Sequence, residues 1–176
     1  MKKAFITKEQ VEKITKKHPT PFHIYDEKAI RENARNLKKA FSWNTNFREY
    51  FAVKANSNPV LMKILNEEGC GMDCSSYAEL LLCEKLEIPG EDIFFSSNNT
   101  PAEEFKYAKK LGAHINLDDF THIDFLEKTS GLPKEICLRF NPGNNFSIST
   151  PIMDNPTDAK YGFTYEQLIQ IGRAHV

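Results

Sequence analysis

Phe51-Ala52-Val53-Lys54, Met72-Asp73-Cys74-Ser75, Ile93-Phe94-Phe95-Ser96, His114-Ile115-Asn116-Leu117 and Ile136-Cys137-Leu138-Arg139 are five short, largely apolar tetrads. They begin 21, 21, 21 and 22 residues apart. Between them lie stretches with helical spacing. Val60, Leu61, Ile64 and Leu65 give one apolar face, and Ala102, Phe105, Ala108 and Leu111 give another. Upstream, Ile30, Ala34, Leu37 and Phe41 mark a further amphipathic helix. Asn58-Pro59 and Thr100-Pro101 each set a capping residue before a proline suited to a first helical turn. Gly69, Gly112 and Gly131 follow helical stretches, where left-handed caps are common. Strand, helix, strand at a short fixed interval predicts parallel strands joined by right-handed crossovers. Strands covered on both faces account for the near-continuous apolar runs. The fold class is α/β.

A dinucleotide-binding sheet would carry a glycine-rich loop after its first strand. Here that strand runs into Lys54-Ala55-Asn56-Ser57-Asn58-Pro59. The uniform step favours a barrel, and a full one needs eight units in about 250 residues. Five units are visible, and 36 residues follow Phe140. The expected architecture is a partial (β/α)8 TIM-type barrel of about five strand–helix units.

The chain has 176 residues, and its 23 Lys+Arg against 24 Asp+Glu give a net charge of −1, which argues against a nucleic-acid partner. With 40% hydrophobic and 27% charged residues it is globular and not disordered. No apolar run approaches the ~20 residues of a membrane helix, so no membrane partner is expected. The polar Thr7-Lys8-Glu9-Gln10 interrupts the start, which excludes a signal peptide. Cys70, Cys74, Cys83 and Cys137 form no Cys-x-x-Cys pair, and the five histidines complete no metal pattern. Cys74 and Cys137 lie in apolar runs that read as buried strands, so reduced core thiols and a cytoplasmic location are expected.

In a barrel the chemistry gathers at the C-terminal ends of the strands. Those ends read Lys54, Asp73-Cys74-Ser75-Ser76, Ser96-Ser97-Asn98-Asn99, Asp118-Asp119 and Arg139-Phe140-Asn141. Lys54 follows Phe51-Ala52-Val53 with no turn signal between, which predicts a partly desolvated lysine at the barrel mouth. Desolvation lowers an amine's pKa and makes it nucleophilic toward carbonyl groups. By spacing alone, Lys54 is equally a solvated strand-end lysine and Asp73 a ladder-end or helix-capping carboxylate. Arg139 is equally the partner of a carboxylate across the barrel.

Phe51-Ala52-Val53-Lys54-Ala55-Asn56 resembles the pyridoxal-phosphate lysine motif of the fold-type III decarboxylases and alanine racemases. Gly71-Met72-Asp73-Cys74-Ser75-Ser76-Tyr77-Ala78-Glu79-Leu80 is similar to the second-strand motif of that family. Ile93-Phe94-Phe95-Ser96 resembles its third strand, and Cys137-Leu138-Arg139-Phe140-Asn141-Pro142-Gly143 its fifth. Thr20-Pro21-Phe22-His23-Ile24-Tyr25-Asp26 resembles the family's lead-in to the barrel, and Ala159-Lys160-Tyr161-Gly162-Phe163 its Ser-Lys-Phe-Gly element. The resemblance covers residues 19–168 in order and is strongest to the diaminopimelate decarboxylase branch.

The resemblance implies an alanine racemase-like barrel, pyridoxal 5'-phosphate as cofactor, an amino acid as small-molecule substrate and a homodimer. It implies that Lys54 binds the cofactor aldehyde and then yields to the substrate amine. Asp73 would lie beside that lysine and help set its protonation. Ser96 would line the cofactor pocket, and Arg139 would face the cofactor ring and its lysine link. Lys160 is equally a surface residue. The implied reaction is decarboxylation of meso-diaminopimelate to L-lysine. Ornithine- or arginine-type decarboxylation, racemisation and non-catalytic cofactor binding on the same barrel are the alternatives.

The family's later elements are absent from these 176 residues: a His-x-Gly-Ser segment, a glycine-rich phosphate loop, a Glu-Pro-Gly-Arg motif and a β domain with Cys-Glu-Ser-x-Asp. The chain is therefore expected to be an N-terminal fragment, inactive alone, cut before that β domain. Residues 1–26 would lead into the barrel, and 27–170 would form it. Ile171-Gly172-Arg173-Ala174-His175-Val176 fits neither helix nor family. It is the translation of ATCGGAAGAGCACACGTC, the start of a common sequencing adapter. Residues 171–176 are expected to be an adapter-derived tail, and Arg173 and His175 receive no role.

Overall fold

In the computed structural model, which describes residues 4–143 and 161–174, all five tetrads supply strands. Two helices come first, α1 (Lys8–Thr15) and α2 (Glu27–Ala40). The repeat follows: β1 (Tyr50–Ala52), α3 (Pro59–Glu67), β2 (Gly71–Cys74), α4 (Tyr77–Lys85), β3 (Ile93–Phe95) and α5 (Ala102–Leu111). It goes on through β4 (His114–Leu117), α6 (Phe120–Ser130) and β5 (Ile136–Leu138), and α7 (Tyr165–Ala174) stands last. The strands pair in sequence order, β1-β2-β3-β4-β5, and every pair is parallel. The result is an α/β half-barrel whose sheet is not closed.

Alternation along each strand separates two faces. Met72, Cys74, Ile93, Phe95, Ile115 and Leu117 point outward and are buried, together with Met62, Leu80, Cys83, Phe105, Ala108 and Leu126 of the helices. Each fully buried Leu, Ile, Met or Phe side chain among them contributes about 1.5–3 kcal/mol. The residues between them, Ala52, Asp73, Phe94, His114, Asn116 and Cys137, line the inner, concave face. Ala52 pairs with Asp73 and Phe94 with both Asp73 and His114, while Asn116 pairs with Cys137.

Caps set the helix starts. Asn58 Oδ1 accepts from Val60 N at 2.9 Å, ahead of Pro59 in the first turn. Ser76 Oγ accepts from Glu79 N, and Glu79 reaches back to Ser75 N at 2.7 Å, so this part of the second-strand motif works as a helix cap. Gly112 closes α5 in the left-handed region, and Gly69 and Gly131 also have positive φ.

Several expectations are corrected. Lys54 is not a direct continuation of β1, because Val53–Ala55 forms a 3-10 turn. Thr100 does not cap α5: Pro101 holds that position, and the Thr100 hydroxyl donates to Ser97 O at 3.3 Å. On α3, Met62 replaces Val60 in the core, and Val60 is 64% exposed. Ile30, Ala34 and Leu37 of α2 are only half-buried. They border a groove of about 370 Å³ with Phe51, Leu61 and Leu65, beside the unpaired edge of β1. Cys137 is half-buried, because it faces the open concave side. Residues 171–174 do continue a helix, α7, since Ile171 follows Leu168 by one turn and both seat against the core. Residues 1–26 carry an unforeseen helix, α1, signalled by the Thr7–Gln10 capping box.

Candidate active site

The C-terminal ends of all five strands converge on one rim. Lys54 stands in the turn after β1 and is exposed. Its Nζ has no hydrogen bond or ion pair with a described residue. The partial desolvation expected from the sequence is not found, because the sheet is open opposite the turn. Asn56 holds the turn. Its Nδ2 donates to Tyr25 Oη at 3.0 Å, and its Oδ1 accepts from Asn58 N at 3.1 Å. The lead-in segment is thereby tied to the lysine motif.

Next along the rim, the Ser96 hydroxyl donates to Asp73 Oδ1 at 2.6 Å. Ser96 is buried and Asp73 half-buried. Parallel register brings them together: Asp73 pairs with Phe94, and Ser96 N donates to Cys74 O at 2.9 Å. Behind them, the Cys74 and Cys83 sulfurs lie 3.5 Å apart. Hydrogen bonding to Cys83 and burial push the Cys74 thiol up, which keeps it an inert core group.

Arg139 forms an ion pair from Nε to Asp118 Oδ1 at 3.1 Å. Asp118 also accepts from Asn116 Nδ2 at 3.0 Å and, through Oδ2, from Asn98 Nδ2. The carboxylate expected to pair with Arg139 is thus on the adjacent strand. Tyr161-Gly162-Phe163 locks these two strand ends together. Gly162 N donates to Asp118 O at 3.0 Å, Phe163 N to Arg139 O at 2.7 Å, and Asn141 N to Phe163 O at 2.9 Å. Gly162 has φ +102°, and a Cβ there would stand 3.1 Å from Arg139 O. Phe163 is buried edge-on against Phe120. Lys160 lies outside the described residues, as do residues 144–159.

The rim therefore holds two polar clusters, Asp73–Ser96 and Asp118–Arg139, with Lys54 at the β1 end. Asp118, Asn98 and Asn56 are the residues to which sequence reasoning gave no role. The alternation of His114, Asn116 and Asp118 with Ile115 and Leu117 is the signal that finds the first of them. The groove of about 430 Å³ lined by Lys38, Phe47, Arg48 and Glu49 lies at the opposite, N-terminal ends of the strands. The rim is a concave surface rather than an enclosed cavity, because only part of a barrel wall surrounds it.

Parallel strands with crossover helices and polar groups gathered at the strand C-termini define an α/β protein of the barrel type. Residues 27–175 match the family described as pyridoxal-dependent decarboxylase, pyridoxal binding domain, and the chain belongs to that family. Protein TabA of Pseudomonas amygdali pv. tabaci is 41% identical over 160 residues, which are 91% of this chain and 37% of that protein. Diaminopimelate decarboxylase of Bacillus subtilis (strain 168) is 33% identical over 156 residues, 85% of this chain and 35% of that protein. The crystal structure of diaminopimelate decarboxylase from Helicobacter pylori complexed with L-lysine superposes with a TM-score of 0.81 at 28% identity. It covers 92% of this chain and 42% of that one. The chain spans a little over a third of the length of these curated relatives.

Family membership gives pyridoxal 5'-phosphate as the cofactor. The residues present are compatible with it. Lys54 Nζ is uncommitted, and Ser75 Oγ is buried at the end of β2 without a partner among the described residues. Small Ala52 leaves the concave face open beside Asp73.

Proposed function

We propose that the chain forms the lysine-bearing part of a pyridoxal 5'-phosphate site in an amino-acid decarboxylase whose substrate is meso-diaminopimelate and whose product is L-lysine. The observation that carries the reading is the free Lys54 amine on the same rim as the Asp73–Ser96 pair and Arg139. Pyridoxal 5'-phosphate, when bound, supplies the electron-accepting ring that takes up the electron pair left by departing carbon dioxide.

Lys54 would hold the cofactor through its Nζ amine and would give way there to the substrate amine. Asp73 would lie beside that lysine, with the Ser96 hydroxyl fixing its Oδ1. Arg139 presents a permanent positive charge on the concave face. The protein acts as a cytoplasmic homodimer in this reading, which rests on resemblance. The diaminopimelate decarboxylases at 33% identity over most of the chain support the substrate. The ornithine decarboxylase from Entamoeba histolytica, 29% identical over 69% of this chain, favours a second reading, an ornithine- or arginine-type decarboxylase on the same scaffold.

The test is carbon dioxide release by the protein expressed from its complete gene. Turnover of meso-diaminopimelate well above that of ornithine and arginine supports the first reading. Release from another amino acid supports the second. Inversion of stereochemistry without carbon dioxide contradicts both.

A further inference from the structure

Asp118 is 3% exposed, and its carboxylate side chain only 1%. A carboxylate so enclosed is costly unless it is paired and hydrogen-bonded. Its partners come from three neighbouring strand ends: Asn98 after β3, Asn116 on β4 and Arg139 after β5. Its own backbone is held as well, since Gly162 N donates to its carbonyl oxygen. The other member of the ion pair differs, because the Arg139 side chain keeps 39% of its surface exposed. The carboxylate is therefore the fixed end of the pair and the guanidinium the presented end.

We propose that Asp118 is a positioning residue: anchored by Asn98 and Asn116, it orients the Arg139 guanidinium on the concave face to receive an acidic oxygen of the bound ligand. The proposal rests on the reading of that face as the cofactor site. A flexible arginine gains most from such an anchor, since its planar fork binds oxygen anions only when correctly aimed.

The test is a double-variant cycle in the protein expressed from its complete gene, read by pyridoxal 5'-phosphate affinity and by the denaturation midpoint. Asp118→Asn preserves shape and removes the charge. Cofactor affinity is expected to fall about tenfold, and Arg139→Met to cause a similar loss. Once Arg139 is gone, Asp118→Asn should weaken affinity little further, because the two act as one unit. Equal losses from Asp118→Asn in both backgrounds would mark a merely structural carboxylate and overturn the proposal. Should the unmodified protein take up no cofactor, the cofactor reading falls, and the denaturation midpoint decides the anchoring claim. A drop on Asp118→Asn that shrinks in the Arg139→Met background supports the anchor, and an unchanged drop refutes it.

Discussion

On the outer face of the sheet, Met72, Cys74, Ile93, Phe95, Ile115 and Leu117 are at most 1% exposed and belong to one apolar core with Met62, Leu80, Phe105 and Leu126 of the helices. On the inner face, Asp73, Ser96, Asn116, Asp118 and Arg139 meet each other through hydrogen bonds and an ion pair. The same strands carry both sets, one residue apart. Adjacent Asp118 and Asp119 compress the contrast into two positions. Asp118 turns inward to Arg139, and Asp119 turns outward to cap α6. Bonds from the Thr121 hydroxyl and backbone hold the Asp119 carboxyl below the usual carboxylate range. Outer residues build the apolar core, and inner residues carry the polar groups of the rim.

The largest expected effect falls on the outer face. Phe95→Ala removes a fully buried ring packed edge-on against Phe105. It should cost about 3–5 kcal/mol in chemical denaturation. A loss below about 1 kcal/mol would break the division, since it would mean that the outer face is not the core. Gly162→Ala tests the lock that joins the ends of β4 and β5 at the rim. Its positive φ and the approach to Arg139 O should cost about 1–2 kcal/mol, together with a weaker cofactor affinity. On the inner face, Asp73→Asn still accepts the Ser96 hydroxyl, so stability should move by less than about 1 kcal/mol. Cofactor capture should nevertheless fall. If stability and capture fall together, the inner face is also structural.

The smallest effect lies away from both faces. Arg35 and Arg31 hydrogen-bond Glu68 and hold its carboxyl down at about 2, against an ordinary value near 4.5. A lowered folded-state pKa means that the contribution is full above the ordinary value and is lost as pH falls toward 2. The denaturation midpoint should show a small acid shoulder in that window, and Glu68→Gln should abolish it. These are surface-linked pairs between α2 and α3, so the effect is modest and salt-sensitive.

Much of this was legible in the sequence. The 21-residue step fixes parallel strands with crossovers because each unit must return its chain to the same end of the sheet. Asn58 before Pro59 is a local signal and needs no tertiary context. The turn at Val53 was not legible, since valine favours strands and a three-residue β1 leaves too short a pattern to show its end. Exposure of Lys54 depends on which strands surround it, which no local window contains. The partial exposure of α2 has the same origin, as its apolar side borders the unpaired edge of β1. The contact between Tyr161-Gly162-Phe163 and the strand ends joins residues more than 20 positions apart, and periodicity carries no such information.

On the proposed reading, the rim at the strand C-termini is the cofactor site and Lys54 its covalent anchor. The most direct measurement is borohydride reduction of the protein incubated with pyridoxal 5'-phosphate, followed by peptide mass spectrometry. One dominant phosphopyridoxyl mass is expected, on the peptide containing Lys54, and it should be lost in Lys54→Ala. Label spread over surface lysines, or label unchanged by Lys54→Ala, would contradict it.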